Sequence, residues 1–176
     1  MKDLYLEILK EELVPALGCT EPIAIAFTAA RAREVLGTLP ESLTVSCSGN
    51  VIKNVKGVVV PSTKSMRGIE TSAILGVVAG RADKNLEVLS AVREEDITFT
   101  KGLLARGVCK VELVEGVENL YIRVLVEKGD QSAAVTVAGS HTAIVKIEKN
   151  GEELFADEES AGNPAGRIDI GFMSVR

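Results

Sequence analysis

Apolar and polar residues follow two different periods along this chain, and the change falls near residue 108. Residues 2–14 set Leu4, Leu6, Ile8, Leu9 and Leu13 among acidic and basic neighbours, close to a helical repeat, so the pattern predicts an amphipathic helix ended by Pro15. Residues 23–32 are rich in good helix formers and carry no charge before Arg31, which predicts a second helix buried on most sides. Thr20 as N-cap and Pro22 in the first turn would start it, and Gly37 would stop it after Leu36. A short strand is expected over 42–46 and is broken by Ser48-Gly49-Asn50. Residues 50–61 fit neither period and read as an irregular segment with functional potential. A polar loop follows at 62–68, then a small-residue helix over 69–78 stopped by Gly80, a helix or pair of turns over 86–92, and a helix over 94–106 closed by Gly107.

From Val108 onward four β-prone runs of similar length, 108–114, 120–126, 132–138 and 142–148, are separated by loops containing Gly116, Gly129-Asp130 and Gly139-Ser140. That spacing predicts an antiparallel meander with one face on the helices and one partly wet. Asn150-Gly151 adds a tight turn with a brief return at 152–155. The expected fold class is therefore α+β, with N-terminal helices followed by a mainly antiparallel four- to five-stranded sheet, all in one domain over residues 1–155. Residues 156–176 start acidic, run through Gly162, Pro164 and Gly166, and read as a tail or linker whose apolar stretch at 168–175 is available for docking.

Composition narrows the classes of function. Of 176 residues 46% are hydrophobic and 26% charged, which suits a globular domain with a real core. The formal net charge of -5 with scattered Lys and Arg, only 3% aromatics and no Trp argue against a nucleic-acid partner, which needs a basic footprint and stacking platforms. No apolar run is long enough for a membrane span, and residues 1–3 open no signal-peptide pattern, so a cytoplasmic protein is expected. Three cysteines without paired spacing fit a reducing compartment better than a disulfide framework.

Candidate chemistry centres on Leu17-Gly18-Cys19-Thr20-Glu21-Pro22. A cysteine at a helix N-terminus meets unpaired backbone N–H groups and the positive end of the macrodipole, which lower a thiol's pKa and favour an anionic or metal-bound sulfur. The competing reading is a small buried residue at a tight turn. Cys47 and Cys109 fall in expected strands and read as core. Ser48, Asn50, Lys53 and Asn54 gather hydrogen-bond donors suited to a carboxylate, against an ordinary Asx-type turn followed by a solvated strand. The 62–68 loop, with Lys64 and Arg67, has the makings of an anion cradle without the glycine spacing of a P-loop. His141, the single histidine, precedes the last strand, where a ligand or acid–base role competes with a merely hydrogen-bonded one. No Ser-His-Asp order, HExxH, GxGxxG or CxxC occurs.

Three blocks together, residues 13–22 (LVPALGCTEP), 48–55 (SGNVIKNV) and 139–145 (GSHTAIV), resemble the L-cysteine desulfidase family, which is related to the iron–sulfur L-serine dehydratases, in order and spacing over roughly residues 1–155. The resemblance implies a lyase that uses an oxygen-sensitive [4Fe-4S] cluster, and no pyridoxal phosphate, to eliminate sulfide from L-cysteine, or water from L-serine, giving pyruvate and ammonia. It implies that Cys19 is a cluster ligand, that Lys53 and His141 are catalytic, and that Thr20, Glu21, Ser48, Asn50, Asn54 and Thr142 bind the amino-acid substrate. Family members continue into a mainly helical domain that carries the other cluster cysteines. That domain is missing here, so a partner domain or subunit is expected, with no complete cluster on this chain alone. Ser62 and Ala143 stand where members often carry glycine and asparagine. Two rival expectations remain: a non-catalytic amino-acid-binding or regulatory domain, and an assembly module whose alanine-rich helix makes a homo-oligomer.

Overall fold

A computed structural model of the chain describes residues 18–157. The expected helix over 2–14 and the stretch at 168–175 lie outside the described residues. Helix α1 spans Thr20–Leu36, and Gly37 ends it in the left-handed region (φ 86°), with its N–H donating to Arg33 O at 2.8 Å. Its N-cap is Cys19 rather than Thr20: Cys19 is extended (φ -66°, ψ 129°), while Thr20 is already helical. Pro22 then sits in the first turn, where a missing N–H costs no hydrogen bond.

Strand β1 spans Ser42–Ser48, two residues beyond the expected end. The segment expected to be irregular begins instead with a helix, α2, over Gly49–Val55. Ser48 caps it by accepting from the Val51 N–H at 3.4 Å, and Val51 and Val55, one turn apart, are its buried pair. Two apolar anchors in seven residues are too few to register as a period. Helix α3 covers Ile69–Ala79, a 3-10 segment Ala82–Glu87, and α4 Glu94–Ala105. Strands β2 (Cys109–Val114), β3 (Tyr121–Lys128), β4 (Gln131–Ala138), β5 (Ile144–Lys149) and β6 (Glu152–Ala156) follow.

The architecture is α+β, but the sheet has six strands in the order β2-β1-β3-β4-β5-β6 and is mixed. Strands β3 to β6 form an antiparallel meander, whereas the expected one ran from β2 to β5 with a brief return at β6. β2 does not join it directly, because β1 inserts between β2 and β3, parallel to β2 (Val45↔Val111) and antiparallel to β3 (Val45↔Val124). The reason lies in the connection: a parallel pair requires a long crossover, and α2 through α4 supply it between β1 and β2.

Helices α1 and α3 pack on one face of the sheet, where Ile25, Ala29 and Ala32 join Val45, Val124 and Val135 in the main core. The small residues set the distance between the helices: a Cβ on Gly76 of α3 would lie 2.4 Å from the Ala26 carbonyl oxygen of α1. Arg33 closes the far end of the contact by donating to Val77 O (3.2 Å) and Gly80 O (2.9 Å), carbonyls that the end of α3 leaves unpaired. Side chains alternate across the pleat, so the other sheet face carries Arg123 and Glu148, paired at 3.0 Å. No described helix is long and apolar enough to cross a membrane.

Candidate functional site

The start of α1 and the helix α2 meet at one carboxylate, and the turn between β4 and β5 lies within electrostatic range of it. Glu21 Oε2 accepts from the Cys19 thiol and from the Thr20 hydroxyl, each at 3.3 Å, and Oε1 accepts from the Asn54 side-chain amide at 3.2 Å. His141 lies near enough for its charge to act on the same carboxylate. Burial pushes the Glu21 pKa up, but the hydrogen bonds from Cys19, the backbone and Asn54, together with His141, outweigh it and hold the carboxyl below its ordinary value.

The thiol responds in the opposite sense to the one expected at a helix start. Burial and the hydrogen bond to Glu21 push the Cys19 pKa up, although the backbone N–H groups of Glu21 and Thr20 act to lower it. The helix terminus has the anticipated effect on the sulfur, and desolvation with a facing carboxylate overrides it. Cys19 thus stands as a protonated donor, half-buried, whose proton a thiophilic metal would displace.

The other expected residues divide by position. Asn50 and Lys53 are exposed on α2, and no hydrogen bond or ion pair engages either among the described residues. Thr142 is half-buried beside His141 in the 139–143 turn, which is closed by Ala138 N–H to Ala143 O (3.2 Å) and Ala143 N–H to Ser140 O (3.3 Å). Ser48 is 4% exposed, and its hydroxyl donates to Asn119 O at 2.6 Å while it accepts from Val51.

The 61–68 loop borders the cysteine turn. Gly18 has φ 96°, and a Cβ there would lie 3.3 Å from Pro61 Cγ, so both conformation and space call for glycine. Ser62 and Lys64 adopt left-handed backbone (φ 65° each), a cost usually found where the surroundings impose it. The loop's cations are engaged elsewhere: Lys64 pairs with Glu94, and Arg67 donates to Gly57 O at 2.5 Å. Sequence reasoning missed the roles of Pro61 and Asn119, since one acts by shape and the other through a backbone carbonyl.

Cys47 is fully buried in β1 and Cys109 half-buried at the start of β2, and burial pushes both thiols up to about 12. Among the described residues no group of three or more His, Cys, Asp or Glu side chains is arranged to hold a metal ion. Against an iron–sulfur cluster, therefore, the site offers one fitting ligand, the Cys19 sulfur, with Glu21 and His141 beside it.

These features define an α+β domain with a polar site at the end of a mixed sheet, built from a helix start, a short capped helix and a β-turn. No family model matches the chain. It is similar to the UPF0597 protein of Lachnoclostridium phytofermentans, 54% identical over 170 residues that make up 97% of this chain and 40% of the relative. It is also similar to the UPF0597 proteins of Finegoldia magna (51% over 154 residues, 87% of this chain, 37% of the relative) and Treponema denticola (43% over 164 residues, 93% and 38%). The chain thus spans about two fifths of the length of these curated relatives. Their names state no activity.

Proposed function

We propose that this chain is the N-terminal part of an iron–sulfur-dependent lyase that eliminates sulfide from L-cysteine, or water from L-serine, to give pyruvate and ammonia. The observation that supports it is the convergence of Cys19, Asn54 and His141 on Glu21, because each comes from a different one of the three blocks that carry the family resemblance. In this reading Cys19 holds one corner of a [4Fe-4S] cluster whose other ligands come from a helical domain or partner subunit. When bound, the cluster supplies Lewis-acid assistance to the departing group.

The chain's own residues bind and move protons. Glu21 is an anion fixed by donors on both oxygens and would accept the substrate ammonium, with Cys19 as the residue that would hold the cluster. Asn50 and Thr142 face open solvent or half-buried space and donate to the substrate carboxylate. In this reading His141 takes the α-proton, and Lys53 returns a proton to the leaving sulfur or oxygen. The enamine left behind hydrolyses to pyruvate and ammonia. A reducing cytoplasm is the setting, consistent with three free cysteines.

The test is a chimera in which this chain replaces the matching segment of the full-length Lachnoclostridium relative, prepared without oxygen. Sulfide release from L-cysteine or ammonia release from L-serine is expected, with bound iron. Cys19→Ser should lose iron and activity together, whereas His141→Ala should keep iron and lose about 100-fold or more in rate. Full activity in the Cys19→Ser chimera would sink the proposal. Calorimetric binding of L-cysteine to the chain alone, unchanged by Cys19→Ser, would favour the regulatory-domain reading instead.

A further inference from the structure

The start of β3 lies between the ends of β1 and β4, with Cys47↔Ile122 on one side and Tyr121↔Ala138 on the other. The three residues leading into β3 therefore touch both neighbours. Asn119 O accepts from the Ser48 hydroxyl at 2.6 Å, and Leu120 O accepts from the Gly139 N–H at 3.1 Å. The Glu118 carboxylate packs against Gly139, where a Cβ would come within 3.2 Å of Oε2. Ser48 ends β1 and caps α2, the helix that carries Asn54. Gly139 opens the turn that carries His141.

We infer that Ser48 is a positioning residue: its buried hydroxyl ties the helix bearing Asn54 to residues 118–120, which in turn hold the turn bearing His141. A serine hydroxyl has a single donor, and here that donor is spent on Asn119. Ser48 therefore acts on a bound amino acid through Asn54 and His141 and not by contact, which rests on the reading of Glu21 and its neighbours as the substrate site. The bond is short, 2.6 Å, and its serine side is only 4% exposed, so the Ser48 hydroxyl is shielded from water although Asn119 itself is exposed.

Because the chain has one histidine, its ring resonances report on His141 alone. The experiment follows the His141 ring and Asn54 side-chain amide signals by nuclear magnetic resonance in the full chain. Glycine is nearly as well tolerated as serine at an N-cap, so Ser48→Gly removes the bridge, and with it the bond from Val51 N–H, at a small cost to α2. Both sets of signals should shift in Ser48→Gly and return toward their original positions in Ser48→Thr, which restores the hydroxyl. Asn119 takes part through its backbone carbonyl, which a side-chain substitution keeps, so Asn119→Ala should leave the His141 signals in place while Ser48→Ala shifts them. Unchanged signals in a folded Ser48→Gly chain, or in Ser48→Ala should Ser48→Gly not fold, would overturn the inference. The readout needs no turnover: a chimera without lyase activity but with a responsive His141 would reject the proposed reaction and leave this coupling standing.

Discussion

One helix, α1, contains two regions built on opposite terms. In its middle, Ala26 presents backbone to Gly76 at a spacing that leaves no room for a methyl group. At its start, Cys19, Thr20 and Glu21 are only half-buried and are held by side-chain hydrogen bonds of 3.3 Å. The first region is fixed by contact of the kind that tolerates no added volume, and the second by polar groups that can exchange partners. Together they suggest a division of labour: the alanine-rich stretch gives the helix a single position, so that a loosely packed, polar end still has a defined place.

Substitutions can break or sharpen that contrast. The largest effect is expected from Gly76→Ala: alanine favours the helix by about 1 kcal/mol, but overpacking of about 3 kcal/mol against the Ala26 backbone exceeds this and should leave a net loss of about 2 kcal/mol in urea unfolding. Cys47→Ser, which puts a hydroxyl into the fully buried face of β1, should cost about 1.5 kcal/mol by the same measurement.

Glu21→Gln is expected to act mainly through titration. The Glu21 pKa is lowered in the fold, so its stabilisation is present above the ordinary carboxyl range and is lost as pH falls through the folded value. The Gln variant should lack that part of the acid sensitivity in pH-dependent unfolding. Its Cys19 should also react faster with iodoacetamide at pH 8, since the carboxylate that helps to hold the thiol protonated is gone. The smallest change belongs to Cys19→Ser, expected within about 0.5 kcal/mol of the parent in stability. A loss as large as that of Cys47→Ser would place Cys19 in the packing core and erase the contrast.

The bounds of α1 were readable to the residue at Leu36 because the run of helix formers ends at a glycine able to turn left-handed. The strands β3 to β5 were also legible from alternating runs and glycine loops, but the run at 108–114 was read into the same meander, from which β1 separates it. The place of β1 was not, since strand order depends on which partner a buried strand finds, and nothing local to 42–48 records that. α2 escaped for want of length, its helical signal resting on Val51 and Val55. At the site, the resemblance selected Cys19, Glu21, Asn54 and His141, which the fold brings together, but the sign of the Cys19 shift depends on a carboxylate facing the sulfur. A helix start seen in sequence implies only the lowering half of that balance.

The insertion of β1 between β2 and β3 also bears on how the chain is made. Val45 waits for Val111 and then for Val124, and at about 5–20 residues per second the ribosome supplies the second partner roughly 4–16 s after the first residue of the pair. Through that interval at least one edge of β1 lacks its partner strand. His141 is translated later still, after β4, so the polar site gains its histidine only once all of α1 to α4 have been made.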